Sequence, residues 1–196
     1  MKKLLYILLF VPVALFGQDN YSLYFDGIDD YVDLGSSNTI AGGSYTIELS
    51  IKLAFGSDDY MSILSSGPRL HGNMEAQLYS NNTIGLSHWL GGEPLSESAL
   101  QINNWHHIVF TYDFSSSVGE VFFDGQLEGT NTIGFNFGDG GNYQPANLLL
   151  GKNLDGYYLN GNIDDLKIWN TVRTQEEIEQ SMNDYPIIGE PGLVGY

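Results

Sequence analysis

The chain has 196 residues, of which 42% are hydrophobic and none is cysteine. With 24 acidic residues against seven basic ones, its formal net charge is −17 at pH 7. An acidic surface repels the phosphates of nucleic acids and anionic lipid headgroups, so we expect no nucleic-acid partner and no membrane-surface partner. The lack of cysteine excludes disulfides, thiolate metal sites and cysteine nucleophiles.

The first segment has the composition of a secretory signal peptide. Lys2 and Lys3 precede an apolar run over residues 4–16, which is too short to span a bilayer. Because Gly17 is small enough to precede a cleavage site, we predict a signal peptide over residues 1–17 and no membrane insertion after cleavage. The protein is then secreted, extracellular or held at the cell surface. The alternative is an uncleaved N-terminal anchor.

Apolar and polar residues alternate with period two over most of the remaining chain. Residues 45–53 and 106–112 are the longest such runs, and each predicts a strand with one buried face and one wet face. Shorter candidate strands are residues 22–26, 31–34, 62–66, 76–79, 84–89, 121–123, 148–151 and 163–169. Asp-Gly, Gly-Gly and Asn-Asn turns separate these runs, which predicts an all-β sandwich or barrel.

One helix is predicted near the end of the chain. Thr174 and Glu177 have the three-residue spacing of a capping box, and the helix would begin there. Ile178 and Met182 lie four residues apart and would form a narrow apolar stripe. We expect the helix to run to about Asn183 and to pack against the sandwich.

Three segments, residues 23–32, 104–125 and 149–169, resemble in order and spacing the laminin-G-like jelly rolls of the concanavalin A-like lectin and glucanase superfamily. The resemblance implies two antiparallel sheets packed face to face over residues 18–185, with one short C-terminal helix. Residues 186–196 resemble a linker and the start of a second, truncated module. Members of the family bind glycans, proteins or steroids, and some are hydrolases, so membership leaves the function open.

The acidic residues do not have the spacing of a glycosidase site. A retaining enzyme needs two carboxylates about 5–5.5 Å apart, which on one strand means acids at even spacing on one face. Glu120 and Asp124 come nearest to this pattern but end in an Asp-Gly hairpin, and Glu48 stands alone on its strand. We therefore predict that the protein is not an enzyme and has no catalytic residues.

Asp26 and Asp164 are the candidate ligands of a structural Ca²⁺ ion. The opening and closing strands of related jelly rolls run near each other, and calcium prefers carboxylate oxygens. The alternative is that Asp26 only caps a turn. His106 and His107 cannot chelate one ion, because adjacent residues of a strand point to opposite faces. We interpret Trp105 and one of these histidines as core residues.

Aromatic residues in loops suggest the ligand. Sugar rings have apolar C–H faces, so glycan-binding surfaces combine aromatic rings with amide and carboxylate groups. Trp89 lies just before a Gly-Gly pair, and Tyr143, Tyr157 and Tyr158 lie in loops rich in Gly, Asn and Asp. We predict that these four residues bind a polysaccharide or surface glycan. The alternatives are an adhesion module that binds a surface protein, and an accessory domain of a secreted glycoside hydrolase.

Overall fold

The computed structural model of the chain describes residues 21–36, 40, 42–56, 60–67, 73–88, 92–133, 147–182 and 189–195. In these residues, thirteen strands form two antiparallel sheets, and there is one helix. The all-β jelly-roll sandwich with one short helix is thereby confirmed. The predicted signal peptide lies outside the described residues. No helix in the described part of the chain has the length and apolar character needed to cross a membrane.

The larger sheet has seven strands. They are β1 (Leu23–Asp26), β3 (Tyr45–Leu53), β8 (Trp105–Asp113), β9 (Val118–Phe123), β10 (Gln126–Thr132), β12 (Asn160–Trp169) and β13 (Leu193–Gly195). Their order is β1-β12-β3-β8-β9-β10, and β13 pairs with β12. The C-terminal segment that forms β13 therefore lies in the same sheet as β1 and β12.

The smaller sheet has six strands. They are β2 (Val32–Ser36), β4 (Met61–Ser65), β5 (Glu75–Leu78), β6 (Thr83–Ser87), β7 (Leu95–Ala99) and β11 (Asn147–Leu150), in the order β2-β11-β4-β5-β6-β7. Neither β7 nor β10 is predicted from the sequence, because both lie at sheet edges and carry few apolar residues. Most other strands are within one or two residues of their predicted bounds.

The core lies between the two sheets and follows the alternation predicted for β3. Ile47, Leu49 and Ile51 are fully buried, and Phe110 of β8 lies opposite Ile47 in the register. His88 also lies in the core. Nε2 of His88 lies 2.6 Å from the hydroxyl of Tyr45, and burial lowers the pKa of His88 to about 3. His88 is therefore neutral at neutral pH.

Helix α1 (Gln175–Ser181) covers part of the outer face of the seven-stranded sheet. Its N-cap is Thr174, and both hydrogen bonds of the capping box between Thr174 and Glu177 are present, as predicted. Ile178 packs on Val109 and Phe122, which are outward-facing residues of β8 and β9. The helix ends at Ser181, two residues before the predicted end.

A charged network is buried beside this helix. Glu48 is fully buried, and its Oε1 lies 2.6 Å from Nζ of Lys167 and 3.0 Å from Nε2 of His107. The Ser181 hydroxyl donates to both Glu48 oxygens at 2.8 Å, and Nζ of Lys167 donates to the Ser181 carbonyl at 2.8 Å. The prediction that this face of β3 is wet is wrong at Glu48, because Lys167 and α1 cover it.

Burial alone would raise the pKa of Glu48. Hydrogen bonds and charge from His107 and Lys167 outweigh burial and hold the pKa of this carboxyl below its ordinary value. Glu48 is therefore ionised at neutral pH, and its contacts with His107 and Lys167 tie β3 to β8 and β12. This carboxylate has a structural role in the sheet.

The Trp105-His106-His107 segment alternates across β8. Trp105 lies opposite Lys52 on the outer face of the sheet and is 44% exposed, so its interpretation as a core residue is wrong. His106 lies opposite buried Ile51 and packs against Phe123 of β9. His107 faces outward to Glu48, so the two histidines do point to opposite faces.

Candidate functional site

The structure describes two of the four predicted ligand-binding aromatic residues. Trp89 and Tyr143 lie outside the described residues. Tyr157 and Tyr158 lie between β11 and β12 and are half-buried. Tyr158 forms an isolated β-bridge with Lys152, which places it beside the end of β11.

A cavity of about 300 Å³ opens at the β2–β11 side of the six-stranded sheet. We call it the Tyr31 cavity; it is lined by Tyr31, Asp33, Gly67, Asn147, Leu149, Lys152 and Leu154. Asp33, Leu149 and Ser65 share a face, because each lies opposite the next in the register. The Tyr31 cavity therefore opens on the outer face of the sheet, away from the core.

Lys152 is the cation of the Tyr31 cavity. Its Nζ lies 3.7 Å from the ring centroid of Tyr31 and 5.8 Å from that of Tyr158. Both distances fall within the range of cation–π attraction. Among the described residues, no carboxylate forms an ion pair with Lys152. Its ammonium is held by aromatic rings and keeps donors for a ligand.

Asp33 supplies the negative charge of the same cavity. Nδ2 of Asn147 donates to its Oδ2 at 2.8 Å, and the Gly35 amide donates to its Oδ1 at 2.9 Å. The Asn147 hydrogen bond, followed by the one from Gly35, lowers the pKa of Asp33 below its ordinary value. The cavity therefore offers a fixed carboxylate that accepts hydrogen bonds, an ammonium that donates them, and an exposed aromatic ring.

Asn153 positions the loop that carries the predicted tyrosines. Its side chain is buried, and Nδ2 donates to Oε1 of Glu75 on β5 at 2.7 Å. Its Oδ1 accepts from the amides of Asp155 and Tyr157, each at 3.0 Å. The loop between β11 and β12 is thereby fixed to the outer face of the six-stranded sheet.

A second aromatic group lies on this loop and its neighbours. Tyr60 packs edge-on against Tyr79 with centroids 5.2 Å apart, and against Tyr157 at 6.3 Å. The Tyr79 hydroxyl donates to the Glu93 carboxylate and accepts from Nε2 of Gln77 at 2.7 Å. Burial and the Glu93 carboxylate raise the pKa of Tyr79 well above its ordinary value, so it stays a neutral donor. Tyr157 therefore belongs to a tyrosine cluster, whereas Tyr158 lies beside the Tyr31 cavity, near Lys152.

The structure does not bring Asp26 and Asp164 together. Asp26 lies opposite Asn160 in the pairing of β1 with β12, four residues from Asp164. Four residues of a strand span about 13 Å, whereas calcium–oxygen distances are about 2.4 Å, so one ion cannot contact both carboxylates. Oxygens of Asp26, Asp29 and Asp30 lie within 4.8 Å of one another instead. Oδ1 of Asp26 also accepts from the Ile28 amide at 2.8 Å, as expected of a turn cap.

Most residues of the Tyr31 cavity are not singled out by their sequence context. Tyr31 and Asp33 lie two apart in a short strand pattern, which places them on one face but does not reveal a partner. Asn147 and Lys152 join them through a pairing of strands more than 100 residues apart. Charge provides the one local signal, since a basic residue is rare in this chain and Lys152 has no acidic residue within two positions.

Comparisons with known proteins agree with this architecture. A sequence model of the concanavalin A-like lectin/glucanases superfamily, of the laminin G type, matches residues 25–179. No curated protein matches the chain significantly.

Several solved structures share the fold. The CBM40 module of a Ruminococcus gnavus IT-sialidase, bound to α2,3-sialyllactose, superimposes with a TM-score of 0.67 at 17% identity, over 81% of this chain and 95% of that one. A heptameric SAP-like pentraxin from Limulus polyphemus gives 0.60 at 16% identity, over 82% and 80%. A Trypanosoma rangeli sialidase gives 0.61 at 14% identity, over 82% of this chain but 28% of that one. The match over most of the described sandwich shows that the chain belongs to the laminin-G-like domains of the concanavalin A-like lectin/glucanases superfamily.

Proposed function

We propose that this chain is an exported, non-catalytic module that binds a glycan in the Tyr31 cavity. The observation that carries the proposal is the composition of this cavity. It combines the half-exposed Tyr31 ring, an ammonium with no carboxylate partner in the described part of the chain, and a carboxylate held by an amide. Binding sites of this kind are concave, partly apolar and marked by a few oriented polar groups.

Each group of the cavity suits a different part of a sugar. The Tyr31 ring would contact the apolar C–H face of a sugar ring. Nζ of Lys152 can only donate hydrogen bonds and the Oδ atoms of Asp33 can only accept them. Together they can bind sugar hydroxyls both as acceptors and as donors. Their charges cancel within the site, and the rest of the chain is strongly acidic. A neutral sugar unit therefore suits the cavity best.

The comparisons support the general class of ligand. One neighbour of the same fold is a CBM40 module that was solved with a sialylated sugar, and another is a pentraxin. These likenesses establish a fold, and the proposal of a glycan ligand rests on the chain's own cavity. A glycan is thus favoured over a surface protein as partner.

A glycan array tests the proposal. We expect the purified chain to bind a defined set of glycans, and Tyr31→Ala to weaken binding about tenfold, which is ~1.4 kcal/mol. Tyr31→Phe keeps the ring and should retain most binding, and Lys152→Met should weaken it. Phe55→Ala removes an exposed ring elsewhere and serves as the matched control. A blank array from folded protein, or a Tyr31→Ala variant that binds like the wild type, would refute the proposal.

A further inference from the structure

A row of four side chains crosses the outer face of the seven-stranded sheet. In the registers, Tyr24 of β1 lies opposite Asn162 of β12, Asn162 opposite Lys52 of β3, and Lys52 opposite Trp105 of β8. Directly opposed residues of antiparallel strands share a face. Since Phe25, beside Tyr24, is buried in the core, this face is the outer one. We call these four residues the Tyr24–Trp105 row.

The two ends of the row are exposed aromatic rings. Tyr24 is 57% exposed and Trp105 is 44% exposed, although both lie in regular strands. Four adjacent strands place the two residues about 14 Å apart, at about 4.8 Å for each of three strand spacings. An occupant that contacts both rings must therefore be extended and must lie across the strands.

The centre of the row is polar. Nδ2 of Asn162 donates to the Ser22 hydroxyl at 3.1 Å, and Nζ of Lys52 lies 5.1 Å from the centroid of the Trp105 ring. Within the described residues, Lys52 forms no ion pair with a carboxylate. Among the residues that the structure describes, Lys52 and Lys152 thus share one arrangement, an ammonium without a carboxylate partner that lies against an exposed aromatic ring.

Helix α1 leaves this row uncovered. The helix packs on Val109 and Phe122, and Glu48 lies in the same cross-strand row as Val109. Lys52 is four residues further along β3 than Glu48, about 13 Å from the covered area. The outer face of one sheet is therefore divided into a part buried by α1 and an open part that contains the Tyr24–Trp105 row.

Charge and composition select the kind of occupant. A second copy of the chain would bring another formal charge of −17 to this face, and nucleic acid would meet a single lysine. The core of a protein–protein interface is depleted of charged residues, whereas a lysine and an amide occupy the centre of this row. Two ring faces with hydrogen-bonding groups between them match a neutral chain that alternates apolar C–H faces with hydroxyls.

We propose that the Tyr24–Trp105 row is a second binding surface of the domain, which takes an extended, neutral polysaccharide. It lies on the opposite outer face from the Tyr31 cavity and uses different residues. The domain would then bind carbohydrate on both sides of the sandwich and could hold two polysaccharide molecules at once. This surface does not depend on the Tyr31 cavity being a binding site.

Affinity gel electrophoresis of the full chain tests the second surface. The probes are hydroxyethylcellulose, galactomannan and arabinoxylan, each in its own gel. We expect the chain to be retarded in at least one gel, and Trp105→Ala and Tyr24→Ala each to raise the apparent dissociation constant about tenfold. Trp105→Tyr and Tyr24→Phe keep a ring and should retain retardation, and Phe55→Ala is the control.

The outcomes separate the two sites. Loss of retardation in Tyr31→Ala but not in Trp105→Ala or Tyr24→Ala would overturn the second surface and leave the Tyr31 cavity in place. The absence of retardation in all three gels would also overturn it. Sedimentation decides a further alternative, because a dimer that dissociates on Trp105→Ala would make the row a contact between copies. Thermal melts of both alanine variants establish that each one is folded.

Discussion

Lys167 and Lys152 lie on opposite outer faces of the sandwich and are used in different ways. Lys167 is buried and bound to Glu48 and to the end of α1. Lys152 lies in an open cavity against two tyrosine rings, with no carboxylate partner among the described residues. In a chain with so few basic residues, the different partners of these two lysines distinguish the structural role of Lys167 from the binding role proposed for Lys152.

Replacing Lys167 and Lys152 one at a time tests whether the two lysines have different roles. Lys167→Met leaves the Glu48 carboxylate buried with fewer partners, and loss of one member of a buried ion pair costs about 3 kcal/mol or more. Lys152→Met removes a charge at the mouth of an open cavity, and such surface substitutions usually change stability by about 0.5 kcal/mol or less. Urea unfolding of both variants measures the difference. Equal losses of stability would show that the two lysines do not differ in role.

Acid should lower the free energy of unfolding through the core residue His88. The pKa of His88 is lowered from 6.5 to about 3 by burial, so below pH 6.5 the unfolded chain binds a proton that the folded chain does not. The free energy of unfolding should then fall by about 1.4 kcal/mol per pH unit, or about 2 kcal/mol between pH 6.5 and 5.

Urea unfolding at several pH values checks this slope. His88→Gln removes the titrating ring and should flatten the dependence above pH 5, where most carboxylates are still ionised. An unchanged slope in His88→Gln would assign the acid sensitivity to other groups. The Lys152→Met variant should keep the wild-type slope, because it changes nothing near the core histidine.

The calcium ion predicted from the sequence stays a prediction and has the smallest expected effect. Because Asp164 is too far from Asp26, any ion at Asp26 would have to use Asp29 and Asp30. At tenfold excess over its dissociation constant, calcium would stabilise the fold by about 1.4 kcal/mol. Melting curves with calcium and with EDTA measure the shift. Asp26→Asn should abolish the shift and Asp164→Asn should not. Identical melts with calcium and with EDTA would show that no calcium ion stabilises the fold.

The sequence was informative where the signal is local. Alternation identified β3 and most other core strands, and the Thr174–Glu177 spacing gave the start of α1. The edge strands β7 and β10 have few buried apolar residues, so no alternation marks them. Local pattern therefore predicts the core strands and the edge strands β1 and β2, but not the edge strands β7 and β10.

The candidate sites depended on distant pairings and were predicted only in part. The sequence predicts Tyr158, but Tyr31 and Asn147 join Lys152, the neighbour of Tyr158, only when β2 pairs with β11. Trp105 was assigned to the core because large aromatic residues in strands are usually buried, and its exposure follows from its register opposite Lys52. Pattern alone does not give the strand order on which these contacts depend.

A crystal structure of the chain with a glycan selected on the array would test the central claim most directly. Density for a sugar ring against Tyr31, with hydroxyls within hydrogen-bonding distance of Lys152 and Asp33, is the predicted result. A ligand seated away from the Tyr31 cavity, with this cavity empty, would contradict the proposed function.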